Sequence, residues 1–398
     1  MKKKSHRFLF INSFYSPNIA GGAEIIMQVQ AEGLAKMGFA VSVLATSNKS
    51  GLSSETINGV KVYRAGIRNF YWHFNQNKPS KLRRLGWHIR DIYNFEMNQF
   101  VREVLEKEKP TIVFLHNISG WSICIFDEIK KLKIPVVQVL HDQYFRCPNS
   151  NMFKGEHACV SQCNSCYIFR FPHKKATQKV TAVVGVSSFI IDGFVQDGYF
   201  LNVSKYVIYN ARDIEITKAP FLVQTNTPLR FGYLGTLAKA KGLEWLIDEF
   251  LSLDFEATLL IGGKGIIEYE TKLKILANSS KILFLGYVDP ADFYAQIDVS
   301  IVPSIWPDTF PGVAFESAAY SVPVIASKIG GLPEIIKEDV NGLLCDPSDV
   351  NSLSKAMKRL NKDRVLLNNL ISKSSESVKP FLSVDRMLNE YIELCDAL

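Results

Sequence analysis

Asp308 and Glu316 are separated by seven intervening residues, Phe310, Pro311, Gly312 and Val313 among them. A Pro-Gly turn that opens a helix leaves its first backbone N–H groups unpaired, and such groups bind anions. A carboxylate one turn along that helix is placed to grip a ribose hydroxyl. A second carboxylate just ahead of it can hold a polar group beyond the phosphate. Phosphate, pentose and a further polar group together describe a nucleotide derivative. Gly235 and Thr236 follow an apolar run, and Lys241-Gly242 then opens the next helical stretch. A lysine there can neutralise a diphosphate. Gly262 ends the following apolar run and suits a phosphate or sugar contact, and the backbone at Tyr287-Val288 could read a base. In the first half of the chain, Gly21-Gly22 sits between the first strand and the first helix, again a place where amides approach an anion. It lacks the three-glycine dinucleotide pattern, which disfavours NAD. His141 ends a buried run, where an imidazole can donate to a sugar hydroxyl or phosphate.

Cys147, Cys159, Cys163 and Cys166 form a second group, spaced Cys-x11-Cys-x3-Cys-x2-Cys. In a reducing compartment such clusters bind metal more often than they form disulfides. Four thiolates would close a structural zinc site, with His157 able to replace one of them. The competing reading is four reduced thiols in a loop.

The elements that must position these residues follow from periodicity. Short β-branched runs alternate with helical stretches, which argues α/β domains built on parallel sheets. At 398 residues and 47% apolar, two globular domains are expected. A Pro/Thr-rich link, Ala219 to Pro228, separates the halves. The expected division is a first domain over 1–210 with a cysteine-rich insertion at 147–166, a second over 211–382, and a C-terminal helix over 383–398. Sheets of this kind bind ligands at the carboxyl ends of their strands, here in a cleft between two facing domains.

The net charge of +7 is unevenly spread. From Thr56 to Arg90 there is no acidic residue, but eight basic ones: Lys61, Arg64, Arg68, Lys78, Lys81, Arg83, Arg84 and Arg90. Phe70, Tyr71, Trp72, Phe74, Trp87 and Tyr93 interleave with or flank them. That mixture suits an anionic membrane surface, with a solvated surface helix as the plain alternative. Nucleic acid is not the expected partner. No apolar run reaches the ~20 residues of a membrane span, and the expected location is cytoplasmic, peripheral on the inner face of the membrane.

Taken together, these motifs resemble the retaining glycosyltransferases of family four, which have the GT-B fold of two Rossmann-like doubly wound domains facing across a cleft. The resemblance runs over nearly the whole chain: Gly21-Gly22-Ala23-Glu24, Val186-Ser187-Ser188, Tyr209-Asn210-Ala211, Gly235 through Gly242, Asp308 through Glu316, Gly330-Gly331-Leu332-Pro333-Glu334 and Asn341-Gly342-Leu343-Leu344. The run His141-Asp142…Cys147-Pro148 with its later cysteines resembles a subset of that family. The resemblance implies a nucleotide-diphosphate sugar donor held mostly by the second domain and a glycan or lipid-linked acceptor. By it, Lys241 grips the diphosphate, Glu316 the ribose, Asp308 the transferred sugar, and the Gly312-Val313 amides the phosphate or sugar. Gly22 and His141 face the donor. No cofactor is required for catalysis. The family usually carries Glu at the position of Asp308 and often Arg at that of Thr236. Lys239, Lys264 or Arg212 could replace the missing cation. These departures keep a second reading in view, a non-catalytic nucleotide-sugar or glycan-binding protein of the same fold.

Overall fold

A computed structural model describes residues 6–74, 79–155, 157–214, 222–225 and 227–398. Lys78 and part of the link at 219–228 lie outside the described residues.

The strands are β1 (Arg7–Asn12), β2 (Ala40–Ser47), β3 (Leu52–Ile57), β4 (Val60–Gly66), β5 (Ile112–Leu115), β6 (Val136–Leu140), β7 (Phe153–Lys154), β8 (His157–Ala158), β9 (Ala182–Gly185) and β10 (Ser204–Val207), followed by β11 (Leu229–Leu234), β12 (Ala257–Gly262), β13 (Ile282–Gly286), β14 (Val299–Val302), β15 (Val324–Ser327) and β16 (Gly342–Cys345). They build two separate doubly wound units. One unit comprises 1–152, 159–212 and 384–398. The other comprises 153–158 and 213–383. The crossing therefore falls after Arg212, two residues beyond the expected boundary, and six residues of the expected insertion group with the second unit.

The first unit carries an eight-stranded sheet in the order β10-β9-β6-β5-β1-β2-β4-β3. Every pairing is parallel except the β3–β4 hairpin. β1, β5, β6 and β9 read as near-continuous apolar runs because helices cover both faces of a parallel sheet. β3 carries no apolar pattern by which a strand is read from sequence, because its Ser53, Ser54 and Glu55 are exposed at the sheet edge. Its signal was the Asn58-Gly59 turn joining it to β4.

The stretch Leu82–Glu108, which helical spacing alone would join into one helix, forms two, Lys81–Arg90 and Asn98–Glu108. The break centres on Asp91, which is fully buried. Its carboxylate accepts from the Gly120 N–H at 2.7 Å and the Tyr144 hydroxyl at 3.0 Å. The C-terminal helix Val384–Ala397 belongs to the first unit. Leu388 fills the space beside Gly33, Tyr391 meets Phe114 edge-on at 5.6 Å, and Arg386 donates to the Tyr209 carbonyl at 2.7 Å.

The second unit carries a six-stranded sheet, all parallel, in the order β13-β12-β11-β14-β15-β16. The chain winds one way from β11 through β12 to β13, then returns to β14 on the other side of β11. That reversal makes the β11/β14 junction a topological switch point, where ligands bind beyond the carboxyl ends of the strands. The core beneath is formed by side chains such as Phe231, Leu259, Ile261, Val299 and Ile325.

Candidate functional site

In the second unit the expected residues converge on the carboxyl ends of β11 to β14. Gly235 and Thr236 follow β11, Gly262 closes β12, Tyr287 and Val288 follow β13, and Asp308 lies in the loop after β14. Backbone hydrogen bonds join the first three ends. Gly235 donates to Gly262 O at 3.0 Å, Gly263 to Gly286 O at 2.6 Å, and Leu237 to Lys264 O at 2.9 Å.

Lys241 ends a 3-10 turn, Lys239–Lys241, tied to the loop after β14. The Ala240 carbonyl accepts from the N–H groups of Ile305 (3.1 Å) and Trp306 (3.2 Å). Gly242 follows with φ +72°, and a Cβ there would come within 1.9 Å of the Pro303 carbonyl oxygen. Only glycine permits this approach, and the approach carries the Lys241 ammonium onto the Asp308 carboxylate as an ion pair. The ammonium also lies 5.6 Å from the centre of the Trp306 ring. The two side chains are 29% and 14% exposed, so the pair is partly open to solvent.

Asp308 is held from its other side by the turn after β15. Gly331 N–H donates to the Asp308 carbonyl at 2.8 Å. At Gly330, with φ +61°, a Cβ would stand 2.3 Å from that same oxygen. The two glycines of the Gly330-Gly331 pair are therefore backbone spacers that fix the Asp308 loop.

The helix Gly312–Ala319 begins four residues after Asp308, with Pro311 at its N-cap. Phe310 is buried against Phe315 and Phe381 at 5.9 and 5.3 Å, and Tyr294 donates its hydroxyl to the Val313 carbonyl at 3.2 Å. The helix start is thus rigid, and its leading N–H groups face outward from the turn as helix geometry requires. Glu316 lies one turn in and is 9% exposed. Thr236 is exposed, Val288 is half-buried, and Tyr287 is 81% exposed. Tyr233, which was not among the expected residues, donates its hydroxyl to the Thr236 carbonyl at 2.8 Å. Burial, with Tyr269 and Asp308 nearby, raises its pKa. Its signal was weak, a polar group inside an otherwise apolar strand.

The first unit holds a separate polar cluster at the ends of β1, β5 and β6. His141 stacks on His116 with ring centres 5.0 Å apart, and His116 Nδ1 lies 2.8 Å from His141 Nε2. Burial lowers both pKa values, that of His141 to about 4, so both imidazoles are neutral at pH 7. Asp142 is pushed up to about 7 by burial, with Glu24 adding to the rise and the Tyr144 N–H opposing it. Glu24 is raised by burial too, although Gly21 N–H donates to it at 2.8 Å and Asn117 at 3.4 Å. Gly22 opens the first helix, Gly22–Lys36, and the Arg212 guanidinium lies 3.9 Å from where a Cβ of Gly22 would stand. Arg212 is therefore part of the first unit's cluster. His116 was missed, yet it follows β5 as His141 follows β6, so the same strand-end signal applied.

The cysteine group is partly assembled. Cys166 is in hydrogen-bonding contact with the thiols of Cys147 and Cys163, and burial plus these neighbours raises its pKa. Cys163 is the N-cap residue of the helix Asn164–Ala176, and Cys159 follows the β7–β8 hairpin with its N–H on the Met152 carbonyl at 2.7 Å. Among the described residues no three His, Cys, Asp or Glu side chains form a ready-made metal cage. The full four-thiol set expected from spacing is thus not closed, although three of its members touch.

Residues 228–363 match the family described as Glycosyl transferases group 1, and residues 21–204 match the Glycosyl transferase 4-like domain. A 42.6 kDa protein in a cps region of Klebsiella pneumoniae is 28% identical over 348 residues, covering 87% of this chain and 91% of its own. A glycosyltransferase of Methanocaldococcus jannaschii is 30% identical over 285 residues, covering 70% of this chain and 74% of its own. Among solved structures, Anabaena HepE in complex with UDP superimposes with a TM-score of 0.71 at 18% identity, over 98% of this chain and 100% of that one. At that identity the likeness establishes the fold.

Proposed function

Because this chain belongs to the glycosyltransferases of the GT-B type, we propose that it moves a sugar from a nucleotide-diphosphate donor to a hydroxyl acceptor with retention at the anomeric carbon, in the assembly of a cell-surface polysaccharide or glycolipid. The observation that carries this reading is the Lys241–Asp308 pair standing just ahead of the Gly312–Ala319 helix start, with Glu316 one turn further on. A cation, a helix start and two carboxylates match the four groups such a donor presents: diphosphate, phosphate oxygens, ribose and sugar.

Lys241 and the Gly312 and Val313 amides stabilise the charge that grows on the leaving diphosphate. Asp308 orients the sugar hydroxyls, and Glu316 accepts from the ribose. The bond from the anomeric carbon to the phosphate oxygen breaks as the bond to the acceptor oxygen forms on the same face. The acceptor proton passes to the departing phosphate. A double displacement would need two carboxylates flanking the sugar about 5–5.5 Å apart, and Glu316 is assigned to ribose instead. His141 and the Gly22 amide are neutral hydrogen-bonding groups of the first unit's own cluster. The cps-region relative and the UDP complex of HepE are consistent with a surface polysaccharide product and a nucleotide-sugar donor.

A panel of UDP-, GDP- and ADP-sugars in a thermal-shift assay tests the reading, since only ligands preferring the folded state raise the midpoint. One class is expected to raise it, and anomeric analysis of the product is expected to show retention. No shift with any donor, or an inverted product, overturns it.

A further inference from the structure

The helix Lys81–Arg90 is fastened to the first unit by one side. Trp87 is buried, and its indole N–H donates to the Tyr71 carbonyl at 3.1 Å. At 100° per residue the opposite side carries Leu82, Leu85 and Ile89. These aliphatic side chains are exposed, Leu82 by 80% and Ile89 by 55%. Arg83 and Arg90 flank the stripe on one edge, and Lys81, Arg84 and His88 on the other. The helix holds no acidic residue. Arg90 pairs with Glu96, while Lys81, Arg83 and Arg84 have no carboxylate partner among the described residues.

A second helix, Asn164–Ala176, lies against the first, with the rings of His88 and Phe169 6.3 Å apart. It too lacks acidic residues, exposes Tyr167, Ile168 and Phe171, and ends in Lys174 and Lys175. Polar residues would serve at these positions if the face met only water. Among the described residues the Arg83 guanidinium donates only to the Phe70 carbonyl, at 2.8 Å, and an exposed aliphatic stripe edged by cations without carboxylate partners is the signature of a helix lying in a lipid headgroup layer.

We propose that these two adjacent helices form a docking face for an anionic lipid bilayer. Charge complementarity selects this occupant. A second copy meeting the face across a two-fold axis would set Lys81, Arg83 and Arg84 against their own counterparts. The aliphatic side chains of Leu82, Ile89 and Ile168 offer no surface on which bases stack. Nothing in this assignment depends on the transfer reaction, because no residue of the Lys241–Glu316 site takes part.

The test is co-sedimentation of the full chain with phosphatidylcholine vesicles, with and without phosphatidylglycerol. Binding is expected only to the anionic vesicles. The triple variant Lys81→Gln, Arg83→Gln, Arg84→Gln should weaken it by roughly a hundredfold, at about fivefold per cation. Leu82→Ser with Ile89→Ser should weaken it by about tenfold or more. All five positions are exposed, so both variants should keep the wild-type thermal midpoint and its response to the nucleotide-sugar panel. Equal binding to neutral vesicles, no vesicle binding, or an RNA affinity that the charge variant abolishes without any vesicle binding overturns the proposal. So does a wild-type dimer that the aliphatic variant converts to monomer while vesicle binding stays absent.

Discussion

The Lys241–Asp308 pair makes a prediction that separates two roles within one ion pair. In the free protein the ammonium that should meet the diphosphate is already occupied by a carboxylate. Both side chains are partly exposed, so their mutual attraction is worth only about 0.5–1 kcal/mol. Replacing Asp308 by Asn removes that competitor and a negative charge from the same pocket. Affinity for the free nucleoside diphosphate should therefore rise by about two- to fivefold, while sugar transfer falls because a sugar contact is lost. Lys241→Met removes a charge-assisted contact worth about 1.5–3 kcal/mol and should weaken the diphosphate roughly 10- to 150-fold. In the double variant the gain from Asp308→Asn should shrink, since no ammonium remains to be released. Isothermal titration with the diphosphate of whichever base the panel selects measures all four proteins. Weaker diphosphate binding by Asp308→Asn, or an unchanged affinity for Lys241→Met, would refute the reasoning.

Three further outcomes follow from the geometry. Gly242→Ala forces a Cβ onto the Pro303 carbonyl at positive φ, and should cost roughly 2–4 kcal/mol in denaturant unfolding; a loss below 1 kcal/mol would show that the Lys241 turn tolerates displacement. Asp142, raised from 3.8 to about 7, holds a proton in the folded state that the unfolded chain gives up, so its contribution is present at low pH and lost as pH rises through 7. His141, lowered from 6.5 to about 4, acts with the opposite sign, losing stability as pH falls below 6.5. Asp142→Asn should thus gain stability over the wild type by a few kcal/mol as pH climbs from 4 to 7, measured by thermal midpoint, and a constant difference would contradict the assignment. Finally, we propose the cysteine set as a structural zinc site, in which the contact among Cys147, Cys163 and Cys166 nucleates binding. Metal analysis of reduced protein should find about one zinc per chain, lowered in Cys163→Ser; zinc-free wild type would leave the thiols as packing groups.

Much of this molecule was legible in local pattern. Parallel strands buried on both faces must be apolar throughout, so β1, β11 and β14 can be read to the residue. The positions of Gly22, Lys241 and Asp308 after strands β1, β11 and β14, and of Glu316 in the helix that follows, come from the same alternation. Local pattern also marked the helix Lys81–Arg90, whose basic and aromatic composition stands out within one segment. What the sequence could not decide were contacts that close over long separations. The end of that helix at Asp91 is set by Gly120 and Tyr144, groups 29 and 53 residues away that no local propensity registers. The edge strand β3 escaped because an exposed edge imposes no apolar rhythm. Above all, the meeting of Lys241 with Asp308, 67 residues apart, depends on two glycine-permitted backbone approaches, at Pro303 and at Asp308 itself. A sequence can name the charges; only the packing of one turn against another, where a single methyl group would not fit, decides that they touch.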